Sequence, residues 1–177
     1  MRTAIVFEGT HGSSAAVAQI IAVEAAVHGP VVVGEVHQIP VSELEGVEFL
    51  VVGGPTHRWE DWADVSRTPN AAHVLRDFHP TSDGVRSWLD HLPPRPSFSA
   101  ATFDTREPGL RVLTGTAALS LYRALRRRGC HLVTRPVSFL VKPGPEAELL
   151  DGEAERVSAW AVQVFRRAEH HHPVHVG

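Results

Sequence analysis

The segment Gly9-Thr10-His11-Gly12-Ser13-Ser14 separates a short apolar run from a helical pattern. A tight turn feeding a helix presents free backbone N–H groups, a ready site for an anion. Thr10, Ser13 and Ser14 add hydroxyl donors without crowding it. Gly12 lets the backbone come close, and His11 is a further donor. No lysine or arginine stands in this turn, and none is required where the helix terminus supplies the field. A simpler reading stays open: Ser13-Ser14 is a helix N-cap, a position serine favours. Two other segments gather polar and aromatic side chains. Pro55-Thr56-His57-Arg58-Trp59 is followed by Glu60, Asp61 and Asp64, and Asp104-Thr105-Arg106 leads into Pro108-Gly109.

Other reactive residue types point to blander roles. Four of the 12 histidines lie in the last eight residues, in His170-His171-His172-Pro173-Val174-His175. Imidazole suits nickel, zinc and copper. No acidic or thiol partner completes a shell there, so we read residues 169–177 as a flexible His-rich tail and expect no metal site. Cys130, the single cysteine, excludes an internal disulfide and a cysteine-based zinc site. It begins a strand after Gly129 and reads as a buried structural thiol. Arg126-Arg127-Arg128 closes a helical pattern, where each cation offsets the helix dipole by about 0.3–1 kcal/mol.

The elements that must position these residues alternate between strand and helix, the pattern of βαβ units and a parallel sheet. Thr3–Phe7 is apolar enough to be covered on both faces. Val17, Ile20, Ile21 and Val27 mark a helix, stopped by Gly29 and Pro30. Val31–Ile39 alternates like an edge strand. Val47–Val52 reads as a central strand that Gly53-Gly54-Pro55 stops. Residues 56–83 show a weak pattern, with a short helix over Ala71–Arg76. Val85, Trp88, Leu89 and Leu92 mark a helix, Ser97–Phe103 a fourth strand, and Thr105–Leu113 a loop. Ala118, Leu121, Tyr122 and Leu125 mark the next helix. His131–Val141 contains a fifth strand, interrupted or extended around Pro136. Val157, Trp160, Ala161, Val164 and Phe165 mark the last helix.

Five strands and about five helices with right-handed crossovers make an open sheet with helices on both faces. Two strand orders are common for it, and periodicity does not choose between them. In either, ligands bind outside the carboxyl ends of the strands where the winding reverses. Residues 8–14, 55–62 and 104–110 must then converge.

With 177 residues and no linker, one domain over residues 1–168 is expected. Hydrophobic content of 43% and charged content of 21% are ordinary for a folded globular chain. A formal net charge of −3 argues against non-specific nucleic-acid binding. No stretch approaches the ~18 apolar residues of a membrane helix. The run from Ala4 to Phe7 is too short for a signal-peptide core, so the cytoplasm is the expected compartment.

Taken in order, several pieces resemble the flavodoxin family over about residues 2–168: Ile5-Val6-Phe7-Glu8-Gly9-Thr10-His11-Gly12-Ser13-Ser14, Leu50-Val51-Val52-Gly53-Gly54-Pro55-Thr56-His57-Arg58-Trp59, and Ala100-Ala101-Thr102-Phe103-Asp104-Thr105-Arg106. A weaker piece runs from Arg127-Arg128-Gly129-Cys130 through Ser138-Phe139-Leu140-Val141 to Gly152-Glu153-Ala154-Glu155-Arg156. The resemblance implies a flavodoxin-like open five-stranded parallel sheet of order 2-1-3-4-5. It also implies noncovalent FMN binding and electron transfer to a partner protein or small-molecule acceptor, or a small FMN-dependent oxidoreductase.

Under that resemblance, Thr10, His11, Gly12, Ser13 and Ser14 cradle the phosphate, and Pro55 and Thr56 set the path of a loop along the ring. Trp59 stacks on the ring or packs in its loop. His57 and Arg58 bring cations to the ring edge, against Glu60, Asp61 and Asp64, although His57 also suits a hydrogen-bonded turn. Asp104 and Thr105 reach the ring edge or form a strand-end turn, and Arg106 stacks by its guanidinium plane. The family has a hydroxyl residue where Gly9 stands and Gly-Asn-Thr where Gly12-Ser13-Ser14 stands. One lost hydrogen bond to a phosphate costs about 1.5–3 kcal/mol, roughly ten- to hundredfold in affinity. The rival expectation is therefore a flavodoxin-fold binding or regulatory module that has lost or weakened FMN binding.

Overall fold

The computed structural model describes residues 1–9, 12–56, 82–109, 116–143 and 148–171. Strand β1 (Thr3–Phe7) is buried at all five positions because it lies inside the sheet with helices over both faces. It pairs in parallel with β2 (Val31–Glu35) on one side and β3 (Phe49–Pro55) on the other. Strand β4 (Ser99–Arg106) continues the sheet beside β3. The fifth position holds two segments, β5 (His131–Leu132) and β6 (Val137–Leu140), both parallel to β4. The order is therefore 2-1-3-4-5, that of the flavodoxin-like fold, and the fifth strand is interrupted on the stretch that contains Pro136.

Four α-helices are described: α1 (Ser13–Ala26), α2 (Ser82–Asp90), α3 (Ala117–Arg127) and α4 (Glu153–His171). A 3₁₀ turn spans Val41–Leu44. Strand side chains alternate between faces, and this alternation divides the interior in two. Ile5, Phe7, Val51, Ala101 and Phe103 pack with α1 and α4, around Val17, Ile21, Val157 and Phe165. Ala4, Val6, Leu50, Val52 and Ala100 pack with α2 and α3, around Val85, Leu89, Leu121 and Leu125. Cys130 is buried in this second layer, and burial pushes its thiol up to about 11, so it is an inert apolar filler at neutral pH.

Several element boundaries differ from the sequence expectations, β3 and β4 each beginning two residues later than expected, at Phe49 and Ser99. Gly53-Gly54-Pro55 does not stop β3, which runs through Pro55 opposite Phe103, Asp104 and Thr105. The glycine serves packing: a Cβ on Gly53 would stand 2.1 Å from the Phe103 ring. Likewise Thr105 and Arg106 are not loop but strand, because β6 pairs with residues 103–106. The edge strand ends at Glu35, where the chain turns back and Val36 N–H donates to Phe7 O. Helix α4 runs on to His171, and Glu169 reaches His28 Nδ1 at 2.7 Å, so the expected tail begins inside a helix. The helix expected over Ala71–Arg76 and the rest of the His-rich run, residues 172–177, lie outside the described residues.

Candidate functional site

The winding reverses between β1 and β3, so the crevice outside their carboxyl ends is where this topology receives a ligand. Helix α1 begins there. Its N-cap is Gly12, in the left-handed region (φ 79°), and among the described residues no side chain caps it. A left-handed φ costs glycine little and other residues more. The first-turn amides of an α-helix have no partner within the helix, and Gly12 itself is exposed, with open space where a Cβ would stand. Among the described residues the start of α1 thus keeps its first-turn amides without a side-chain cap, at the positive end of the helix dipole.

The serines do something other than expected. Neither caps α1. Both are buried and turn inward, Ser13 Oγ lying 3.1 Å and Ser14 Oγ 3.2 Å from Thr105 Oγ1. The N-cap alternative for Ser13-Ser14 is therefore overturned: Gly12 takes the cap, and the hydroxyls join α1 to the end of β4. Glu8 follows the pleat to the opposite face. A methyl group on Gly84 would stand 3.1 Å from Glu8 Oε1, which places this carboxylate beside the start of α2.

The second and third segments meet at Thr56. Its N–H donates to Thr105 O at 2.8 Å. Its hydroxyl donates to Asp104 Oδ2 at 2.9 Å and accepts from Ala117 N–H at 2.7 Å. Ala118 N–H donates to the same Asp104 oxygen at 2.9 Å. Thr56 and Asp104 therefore cap α3, whose own N-cap residue Thr116 makes no side-chain cap bond. Asp104 is fully buried, and among the described residues its Oδ1 has no partner within hydrogen-bond criteria. Burial pushes its carboxyl above the ordinary range, against the Ala118 amide, the Ser138 and Thr56 hydroxyls and the Arg106 charge.

Arg106 is buried too. Its guanidinium folds back on its own turn, with Nη1 3.3 Å from both Glu107 O and Gly109 O.

The structure thus brings Gly12, Ser13, Ser14, Pro55, Thr56, Asp104, Thr105 and Arg106 to the carboxyl edge of the sheet. Thr10, His11, His57, Arg58 and Trp59 lie outside the described residues. Sequence reading missed Ala117 and Ala118, which take part through backbone N–H groups and carry no side-chain signal. It also missed Ser138 as a neighbour of Asp104, naming it only within the weaker piece of the resemblance; the pairing of β6 with β4 sets the two side by side.

No protein-family model matches the chain, and no curated protein matches it. Solved structures do. Oxidised flavodoxin 1 from Bacillus cereus superposes with a TM-score of 0.65 at 18% identity, over 94% of this chain and 98% of that one. A Streptococcus pneumoniae TIGR4 flavodoxin gives 0.64 at 15%, over 94% and 99%. The rubredoxin:oxygen oxidoreductase of Desulfovibrio gigas gives 0.57 at 14%, over 96% of this chain and 36% of that one. At such identities the likeness is one of fold.

Proposed function

We propose that this chain holds FMN noncovalently at the carboxyl ends of β1, β3 and β4 and works in electron transfer or as a small oxidoreductase. The observation that carries this reading is the N-terminus of α1, which no side chain caps among the described residues, at the point where the sheet reverses its winding. Oriented N–H groups and the helix dipole there favour a phosphate. Gly12 admits it without a Cβ, and Glu8, whose charge would repel it, is turned to the other face of the sheet. The likeness in fold to flavodoxins supports the same choice.

Bound FMN would supply the redox chemistry itself. The chain would bind it, orient it and bias its potential. Thr10 and His11 are assigned to the phosphate and Trp59 to the ring on sequence alone. His57 and Arg58 raise the flavin potential where their charge faces the ring, and Glu60, Asp61 and Asp64 lower it. Reduced flavin would pass electrons to a partner protein or a small acceptor. A cytoplasmic setting fits this role, and among the described residues no helix is long and apolar enough to cross a membrane.

One observation favours a second reading, a binding or regulatory module in which the flavin site has weakened. The Ser13 and Ser14 hydroxyls are engaged with Thr105, and Gly9 offers no hydroxyl at all. The visible spectrum of the isolated protein and an FMN titration of the apoprotein separate the two. Gly9→Ser sharpens the result, since among the described residues a Cβ there meets only the Phe7 ring at an ordinary 3.5 Å. Binding that tightens by about tenfold or more, one hydrogen bond to a phosphate, supports the flavin site. No binding before or after supports the module.

A further inference from the structure

We propose that the end of β4 is a two-sided clasp, in which Asp104 and Thr105 position the start of α1, Thr56 at the end of β3 and the start of α3 around the ligand and do not touch it. The inference rests on the FMN reading above and deepens it. Consecutive strand residues point to opposite faces of a sheet, so the last turn of the pleat sends Thr105 to α1 and Asp104 to α3. Each then meets the beginning of a helix. Thr105 Oγ1 lies within hydrogen-bond distance of both Ser13 and Ser14. Asp104 Oδ2 takes the Thr56 hydroxyl and the Ala118 amide together.

Hydrogen-bonding capacity supports this division. A threonine hydroxyl has one proton and two lone pairs. Thr56 uses its proton on Asp104 and a lone pair on Ala117, and Thr105 shares its group between two serines. Both Asp104 and Thr105 are buried, so a ligand at the crevice would meet the elements they hold. Thr105 fixes the first turn of α1, where the phosphate is proposed to bind. Asp104 acts through Thr56, which follows the end of β3 and precedes the residues assigned to the ring on sequence alone.

The two sides of the clasp are therefore separable with FMN and riboflavin, which lacks the phosphate. Apoprotein would be titrated with each flavin and the quenching of flavin fluorescence followed. Thr105→Val is expected to weaken FMN about tenfold, one hydrogen bond's worth, and to leave riboflavin unchanged within about twofold. Thr56→Val is expected to weaken both flavins by a similar factor, about tenfold or more, because its lost bond is to a carboxylate. Thr105→Ser and Thr56→Ser should restore wild-type binding.

Equal losses for both flavins in Thr105→Val, no loss in Thr56→Val, or serine variants that fail to restore binding would overturn the clasp. Amide exchange supplies a readout that needs no flavin. Thr56→Val should speed exchange at Ala117 and Ala118, and Thr105→Val at Ala16 to Ala18. A wild-type protein that binds neither flavin sinks the FMN reading, while unchanged exchange in both variants sinks the clasp itself.

Discussion

At the scale of single residues, the informative positions break an ordinary rule. Gly53 stands in a central strand, where a side chain would normally pack better. Gly→Ala gains about 0.4–1 kcal/mol through the unfolded chain where the native backbone tolerates it. Here the new methyl would stand 2.1 Å from Phe103 Cζ, and overpacking costs about 1–3 kcal/mol or more. Gly53→Ala is therefore expected to lower the free energy of unfolding by at least about 1 kcal/mol in a denaturant titration. Asp104 breaks a different rule, being a carboxylate buried with one oxygen unpartnered among the described residues. Its folded pKa lies above the ordinary value, so between the two values the folded state binds the proton more tightly. Stability contributed by this group then falls as pH rises through that window. Asp104→Asn keeps an acceptor for Thr56 and Ala118 and removes the charge. It should unfold at higher denaturant than wild type at pH 7, with the gap closing as pH falls toward 4. The sequence offered Asp104 and Thr105 as candidates but not their partners, because what meets a strand end depends on pairing with distant segments, β6 standing 34 positions away.

At the scale of elements, helix and strand cores were legible wherever burial alone dictates the pattern. Strand β1 and the buried stripe of α3 are cases in point, since their apolar periods match the faces they bury. Boundaries were less legible where a neighbour decides them. Strand β4 extends to Arg106 only because β6 lies beside it, and β6 is held in turn by the start of α4. Glu153 Oε2 accepts Leu140 N–H at 2.8 Å, and Glu153 Oε1 accepts Arg156 Nε at 2.9 Å. Arg156 also donates to Ser138 O and lies over the Phe139 ring, 4.7 Å from its centroid. Partial burial alone would raise the Glu153 carboxyl. The Arg156 bonds, the Leu140 amide and the Arg156 charge outweigh it and hold the group below its ordinary range. A depressed carboxylate contributes stability that is present above the unfolded pKa and lost as pH falls through the folded one. Glu153→Gln should cost about 1 kcal/mol at pH 7, the order of one part-exposed charged hydrogen bond. That cost should shrink on acidification below about pH 4, as read by chemical denaturation across pH.

At the scale of the whole molecule, the fold is closed by its last helix, and where that helix ceases to matter can be measured. Along α4, Val157, Ala161, Val164, Phe165 and Ala168 are buried in the layer that α4 forms with α1, β4 and β6. Phe165 stacks on His28 with ring centroids 5.2 Å apart and meets Phe49 edge-on at 5.4 Å. Beyond Ala168 the described contacts are exposed: the Glu169–His28 pair at 2.7 Å and His170 Nδ1 at 2.6 Å from Arg166 O within the helix; exposed pairs contribute roughly 0–1 kcal/mol. Ending the chain after Glu169 removes the His-rich run and none of this packing, so its unfolding midpoint should match the full chain within error. Ending it after Val164 removes Phe165 and Ala168 together. Loss of a buried phenylalanine alone costs about 3–5 kcal/mol, a large part of the 5–15 kcal/mol that holds a typical domain. That shorter chain should show a strongly lowered midpoint or no cooperative transition in thermal and denaturant melts. An equal effect from both truncations would mean that residues 170–177 take part in the fold, and that the closing of the α1 and α4 layer does not end at Ala168.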